Sequence, residues 1–282
     1  MTSIADLLAQ GQKSLSNSGS PIIDAQVLLC HVLNVDRSYF YKSPEEIIPL
    51  QQQKKYSELI AKRQQGIPVS HLTGRRAFWS LDLYVSKNTL IPRPETEHLV
   101  KAALMIINQR KIKRVADLGT GTGAIALSIA KEISTTFPDC QIVATDISSE
   151  ALKVADQNLK NLNLKNVTLR QGSWCEALGG AKFDLIVSNP PYIAESHPCL
   201  NEGDVQHEPL LALTSGVNGL DAIRELIQNA PDSMNPDAWI ILEHGYDQKP
   251  PVQQLLRDGG FQLIETRQDY ANLDRITLGQ LP

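Results

Sequence analysis

Apolar residues recur at helical spacing through the first part of the chain. Ile4, Leu7 and Leu8 open one helix, the run from Asp24 to Leu33 after Pro21 predicts a second, and Tyr56, Leu59 and Ile60 mark a third within 51–65. SNSGSP and KSPEEIIP separate them with turn formers. Residues 1–66 are therefore expected to form a small helical domain.

The pattern changes at 67. PVSHLTGRR reads as a loop and AFWSLDLYVS roughly alternates apolar with polar, so 67–90 is expected to be a connector with a β-hairpin. The prolines of IPRPETEHLVKAALMII then precede a helix whose start Glu95 and Glu97 favour electrostatically. Beyond Lys111, strand-like and helix-like runs alternate: RVADLG, GAIALSIAKEI, QIVATD, SEALKVADQNLKNL, VTLRQG and FDLIVSN. That alternation predicts a parallel sheet with helices on its faces, an α/β domain over 91–282. A helix near 219–229, the strand AWIILEH, a helix near 252–257 and terminal strands FQLIETRQ and DRITLG complete it.

Candidate chemistry gathers at the ends of the predicted strands. DLGTGTG follows the first strand of the α/β domain and precedes an apolar helix. Gly119, Gly121 and Gly123, with Thr120 and Thr122 between them, permit a sharp turn and close approach of a ligand to backbone. Glycine-rich turns also serve geometry alone, but the next strand ends in Asp146, where an acid can accept hydrogen bonds from both hydroxyls of a ribose. Together they predict a nucleoside cofactor. Trp174, after the next strand, offers a ring to stack on adenine, or simply packs over a helix.

The strand FDLIV then delivers Ser188, Asn189, Pro190, Pro191 and Tyr192 to the same sheet edge. Two prolines fix the backbone there. The Asn189 side-chain oxygen and the Pro190 carbonyl are two acceptors on a stiff frame, suited to a planar NH₂ group, and Tyr192 can flank its π face. A conjugated amide nitrogen is a poor nucleophile because its lone pair is delocalised, a resonance that gives the peptide bond a rotation barrier of about 18–20 kcal/mol. Acceptors that draw on both N–H bonds return part of that lone pair.

Composition narrows the field. The 282 residues are 42% hydrophobic and 21% charged with a formal net charge of −4, which argues against a protein whose main task is to neutralise nucleic-acid phosphates. Cys30, Cys140, Cys175 and Cys199 are widely spaced without C-x-x-C pairing, so neither a zinc site nor a disulfide framework is expected. MTSIADLLAQGQKS lacks the basic start and apolar core of a secretory leader, and no segment approaches about 18 continuous apolar residues. A cytoplasmic protein away from membranes is the expectation.

DLGTGTGAIALSIA, SNPPYI, GDVQHEPLLAL, ILEHG and DRITLG together resemble the HemK/PrmC family of S-adenosylmethionine-dependent methyltransferases, which methylate the side-chain amide nitrogen of glutamine in proteins. The resemblance runs from His71 to the C-terminus, and more loosely through the N-terminal helices. It implies a Rossmann-like class I methyltransferase domain preceded by a helical-bundle domain for substrate recognition. It further implies that Gly119 to Gly123 line S-adenosylmethionine, that Asp146 binds the ribose, that Trp174 lies beside the adenine, and that Asn189, Pro190, Pro191 and Tyr192 hold the glutamine. The implied substrate is the Gly-Gly-Gln glutamine of class 1 peptide chain release factors, methylated at N5 by a monomer that needs no metal and takes no nucleic acid. His207 stands where the family often has an aromatic residue.

Two neighbouring chemistries use the same corner. A ribosomal-protein glutamine methyltransferase would carry nearly identical motifs, and an adenine-N6 methyltransferase would need a basic region to grip and flip a base. Further candidates are Arg93 and Glu97 as a wall or lid of the cofactor site, or as surface ion pairs. Glu243 and His244 are expected to be structural, and His71 lies in the connector without a required base role. QQQKKYSELIAKRQ reads as a solvated helix face that could also meet an acidic partner.

Overall fold

The helical periodicity of the first segment is realised as α1 (Ile4–Ser14), α2 (Pro21–Leu33), α3 (Tyr39–Lys42), α4 (Leu50–Gln64) and α5 (Val69–Thr73). Ser3 starts α1 with a capping box: its hydroxyl accepts from the Asp6 N–H, and the Asp6 carboxylate accepts from the Ser3 N–H. α2 begins at Pro21 rather than at Asp24, since proline at the first helical position loses no hydrogen bond. Ile4, Leu7, Leu28, Leu29, Tyr56 and Ile60 form the core of this bundle. Gly11 sits mid-helix because the Tyr56 hydroxyl occupies the space a Cβ would need, 2.1 Å away. PVSHLTGRR is not wholly a loop: Pro68 caps α5, and Val69 and Leu72 pack on the bundle core.

The described residues, 2–282 in this computed structural model, form two compact units. The first is the chain up to Arg75 together with Asn201–His207, and the second is Arg76–Leu200 with Glu208–Pro282. The first unit thus runs past residue 66, because α5 packs on α2 and α4, and it includes a segment remote in sequence. Arg63 explains that inclusion. Its guanidinium holds Asp24 at 2.8 Å and Asp204 at 2.6 Å, so part of the expected solvated face of α4 is a half-buried ion-pair node, while Lys54, Lys55 and Lys62 are exposed.

The second unit contains β1 (Arg75–Phe78, entering from the first unit) and β2 (Leu81–Tyr84), paired in a two-stranded sheet. It continues through α6 (Glu97–Arg110), β3 (Arg114–Leu118), α7 (Ala124–Ile133), β4 (Gln141–Asp146), α8 (Ser149–Leu162), β5 (Val167–Gln171), β6 (Phe183–Ser188), α9 (Asp221–Asn229), β7 (Met234–Glu243), α10 (Lys249–Asp258), β8 (Gln262–Gln268) and β9 (Asp274–Gln280). The larger sheet runs β5-β4-β3-β6-β7-β9-β8, parallel as far as β7 and antiparallel at β9.

Alternation along the central strands feeds two cores. Val115, Leu185 and Val187 join α6 and α7 on one face, while Ala116, Leu118 and Ile186 join α9 and α10 on the other. A strand buried on both faces reads as a near-continuous apolar run, interrupted in RVADL and FDLIV by Arg114, Asp117 and Asp184.

Candidate active site

Strand order reverses between β3 and β6, and a crevice opens outside the carboxyl ends of parallel strands at such a point. A cavity of about 380 Å³ lies there. Gly119, Thr120, Gly121 and Thr122 after β3, Asp146 at the end of β4, Trp174 after β5, and Asn189 and Pro191 after β6 all line it. Arg93 and Thr96, just before α6, complete part of the wall.

The glycine loop is held from behind. The N–H groups of Gly119 and Thr120 both donate to the Thr145 carbonyl, at 2.9 and 2.8 Å. Gly119 has φ 75° and Gly121 φ 56°, the left-handed region that strains a side chain. A Cβ on Gly119 would lie 3.0 Å from the Trp174 ring, so the indole covers that glycine directly. Asp146 accepts from Gly121 N–H at 2.8 Å and from Ser148 N–H at 2.9 Å, one on each oxygen. Each oxygen keeps a lone pair for a ligand hydroxyl. Burial raises the Asp146 pKa, and these two bonds pull it partly back.

Asp117 and Asn158, neither of them predicted, brace the same loop. The Asp117 carboxylate accepts from the Thr120 hydroxyl at 2.6 Å and from Ala126 N–H at 3.2 Å, and complete burial pushes its pKa up to about 7. Asn158 of α8 donates to the carbonyls of Tyr84 and Thr122, both at 2.9 Å, and accepts from Tyr84 N–H at 2.7 Å. Its sequence signal was an amide on an otherwise apolar helix face, where burial demands partners.

The proline corner is anchored on both sides. The Ser188 hydroxyl donates across to the Leu118 carbonyl at 2.6 Å, tying the ends of β6 and β3. Asn189 Nδ2 donates to Thr96 Oγ1 at 3.0 Å, and the Tyr192 phenol donates to Glu243 Oε1 at 3.3 Å. Gln248 Nε2 donates to the Tyr192 carbonyl at 2.9 Å. Glu243 is fully buried, and burial pushes its pKa up to about 7, with nearby Thr96 and Arg275 and the Tyr192 hydrogen bond pulling the other way. Burial, with the Glu243 charge beside it, also pushes the Tyr192 phenol up.

The cavity's size falls within the roughly 300–1,000 Å³ usual for small-molecule sites. An open glycine backbone, a carboxylate with free lone pairs and an indole fit a nucleoside cofactor. The PrmC N-terminal domain family matches residues 6–74, and a methyltransferase domain family matches 109–260. The release factor glutamine methyltransferase of Xylella fastidiosa (strain Temecula1) is 46% identical over 260 residues, 92% of this chain and 93% of its own. That of Vibrio cholerae is also 46% identical, over 96% of this chain and 94% of its own.

The chain belongs to the release factor glutamine methyltransferase family. The fold likeness extends further: the 16S rRNA N2 G1207 methyltransferase of T. thermophilus, solved with AdoMet and guanosine, aligns with a TM-score of 0.53 at 17% identity, over 74% of this chain and 50% of that one. The second unit is thus a Rossmann-like, S-adenosylmethionine-dependent methyltransferase domain.

Within this methyltransferase, Gly123, Pro190 and Tyr192 are not among the residues that line the cavity itself. Gly123 lies under the loop, its N–H bonded to the Thr120 carbonyl at 2.8 Å. Pro190 is buried, and Tyr192 is turned toward Glu243. Arg93 lines the cavity and pairs with the buried Glu208, whereas Glu97 accepts from Trp79 N–H at 2.8 Å and takes no part. Thr96 was not anticipated; only its place after the IPRP break hinted at it.

Proposed function

We propose that this enzyme transfers the methyl group of S-adenosylmethionine to the N5 side-chain amide nitrogen of the Gly-Gly-Gln glutamine in class 1 peptide chain release factors, and so tunes translation termination. The observation that carries the reading is Asn189: its amide lines the cavity beside the glycine loop and Asp146, with its NH₂ end tied to Thr96. The named activity of relatives 46% identical over nearly the whole chain supports the choice of acceptor.

In this reading Gly119 to Gly123 and Thr120 and Thr122 flank the cofactor, Asp146 accepts from the ribose hydroxyls, and Trp174 stacks beside the adenine. Bound there, S-adenosylmethionine supplies a methyl carbon already activated by a sulfonium, which leaves as the neutral thioether S-adenosylhomocysteine. The protein's task is alignment and exclusion of water. Asn189 Oδ1 and the Pro190 carbonyl accept the two N–H bonds of the incoming amide and favour the pyramidal nitrogen that can attack; the methylated nitrogen, strongly acidic as a cation, then releases one of those two protons to solvent. Pro191 stiffens the frame, and Tyr192 flanks the amide plane while its phenol is held by Glu243. The helical first unit is the substrate-recognition domain, and the chain acts as a cytoplasmic monomer without a metal.

The test is methyl transfer from labelled S-adenosylmethionine to a purified class 1 release factor, beside a copy whose Gly-Gly-Gln glutamine is alanine, with ribosomal protein and duplex DNA as parallel acceptors. Label on the intact factor alone, reduced at least about 100-fold by Asn189→Ala, is the expected result. Label on ribosomal protein or DNA instead would overturn the substrate.

A further inference from the structure

We infer that Gln248 is a positioning residue for methyl transfer, its side-chain amide fixing the main chain of the proline corner at Tyr192. The inference rests on the methyl-transfer reading above. Pro190 and Pro191 carry no N–H, so backbone donors cannot hold the middle of the corner. It has to be held at its ends and through its carbonyls. Ser188 ties the near end to β3, and the far end falls to Gln248.

Gln248 stands just before α10 and is 8% exposed. Its amide is hydrogen-bonded to main chain. Oε1 accepts from the Gly245 N–H at 2.8 Å, and Nε2 donates to the Tyr192 carbonyl at 2.9 Å, with the Asn218 and Gly219 carbonyls at 3.4 and 3.5 Å. A half-turn of the amide would set its oxygen against those carbonyls and its NH₂ against an N–H, so the partners fix which end faces the corner. Gly245 is itself pinned. Its carbonyl accepts from the Gln248 N–H at 3.0 Å and lies 2.8 Å from His244 Nδ1.

Gly219, at φ 72°, lets its loop come this close: a Cβ there would stand 2.2 Å from the Tyr192 oxygen and 2.9 Å from Gln248 Nε2. Just past the clamp, the Ile193 N–H donates to the Leu213 carbonyl and the Ile193 carbonyl accepts from the Ser215 N–H, both at 2.9 Å. Thr214 and Ser215 line the cavity, so the held segment also registers the corner against that wall. The Pro190 carbonyl, one of the two acceptors for the substrate amide, lies two residues before the clamped one. With both proline φ angles fixed, holding the Tyr192 peptide restricts where that carbonyl can go. A displacement of about 1 Å is enough to cost on the order of 100-fold in rate.

The experiment compares Gln248→Met and Gln248→Glu with the wild type in methyl transfer to the release factor between about pH 6 and about pH 9. Cofactor binding is measured by calorimetry and the folded fraction by circular dichroism. Gln248→Met keeps the length without the hydrogen bonds and is expected to lower kcat about 10-fold or more, with KM for the release factor and cofactor affinity within about 3-fold. Gln248→Glu keeps an acceptor for Gly245 and replaces the donor with an ionisable oxygen. Ionised, that oxygen repels the Tyr192 carbonyl; protonated, it donates to it, because the other oxygen is occupied by Gly245. Burial among carbonyls raises the introduced carboxyl above the usual value of about 4.3. Its kcat per folded enzyme, divided by that of the wild type, is therefore expected to fall about 10-fold as pH rises across the range. The charged or titratable groups around the clamp are Asp247 and Lys249 beside Gln248, His244 after β7, Asp274 of β9 paired with Lys249, Asp221 opening α9, and the Tyr192 phenol on Glu243. The wild type shares them all, so the ratio cancels their titration.

Wild-type kcat in Gln248→Met, a loss confined to KM, or a Gln248→Glu ratio that does not move with pH would each overturn the inference while the function stands. A wild-type enzyme inactive on release factors would instead remove the function and this inference together. If Gln248→Met does not fold, the pH dependence of Gln248→Glu still decides.

Discussion

Asn158 offers a sharp test of how the cofactor loop is held. It is buried, and three hydrogen bonds of 2.7–2.9 Å tie α8 to both polar backbone groups of Tyr84 and to the Thr122 carbonyl. Asn158→Ala leaves one N–H and two carbonyls without partners. At about 0.5–1.5 kcal/mol net for each bond, the loss is about 1.5–4.5 kcal/mol, centred near 3. For a unit of this size that lowers the melting midpoint by about 6–12 °C. Trp79, Trp174 and Trp239 all lie in the second unit, so tryptophan fluorescence during urea or thermal unfolding reports on it alone. Because Thr122 lines the cavity, S-adenosylmethionine affinity should also fall about 10-fold by calorimetry, equivalent to about 1.4 kcal/mol. Asn158→Asp should be worse than alanine at pH 7, since a buried carboxylate would face two carbonyls, and should recover partly at pH 5 as it gains a proton. An alanine variant within 1 kcal/mol of wild type, or an aspartate variant milder than alanine, would refute the reasoning.

Other consequences follow from the same structure. Arg63→Ala leaves the buried Asp24 carboxylate with only Ser18 and Ser20 and frees Asp204; a loss of about 3 kcal/mol is expected in urea unfolding followed by circular dichroism, with faster proteolysis within 201–207. Gly119→Ala combines a positive φ with a Cβ 3.0 Å from the Trp174 ring, and should weaken S-adenosylmethionine binding at least about 10-fold by calorimetry. Burial raises Asp117 from 3.8 to about 7, so the native state holds a proton that the unfolded chain has released. Its contribution is therefore most favourable below about pH 4 and is lost as pH rises through 7, on the order of 4 kcal/mol in all. The urea midpoint should fall between pH 5 and 8, and Asp117→Asn should flatten that slope; an equal slope in the variant would remove Asp117 as its source.

How far these features were legible in the chain depends on the range over which they act. The α/β alternation, the GTGTG turn, Asp146 and the proline corner were readable, because strand burial, positive φ and proline geometry are local demands that leave a local pattern. The three longer helices of the bundle were readable too, but not the short α3, nor α5, whose apolar stretch becomes a helix as Val69 and Leu72 pack on the bundle core. The reversal of strand order between β3 and β6, which creates the crevice, leaves no mark in any short segment. Nor did the sequence show that Ser188 reaches across to Leu118 or that Asn158 braces the loop from α8.

The sequence by itself thus determined which residues its strands deliver to one edge of the sheet. Tertiary structure alone decided their orientation. An asparagine beside two prolines has either amide end to offer, and a tyrosine beside it can stack or turn away. Thr96 and Glu243, which stand far from SNPPY along the chain, bind the donor end of Asn189 and hold the Tyr192 phenol, respectively. Such polarity comes from buried groups completing one another's hydrogen bonds, a demand that exists only once the chain has brought them together.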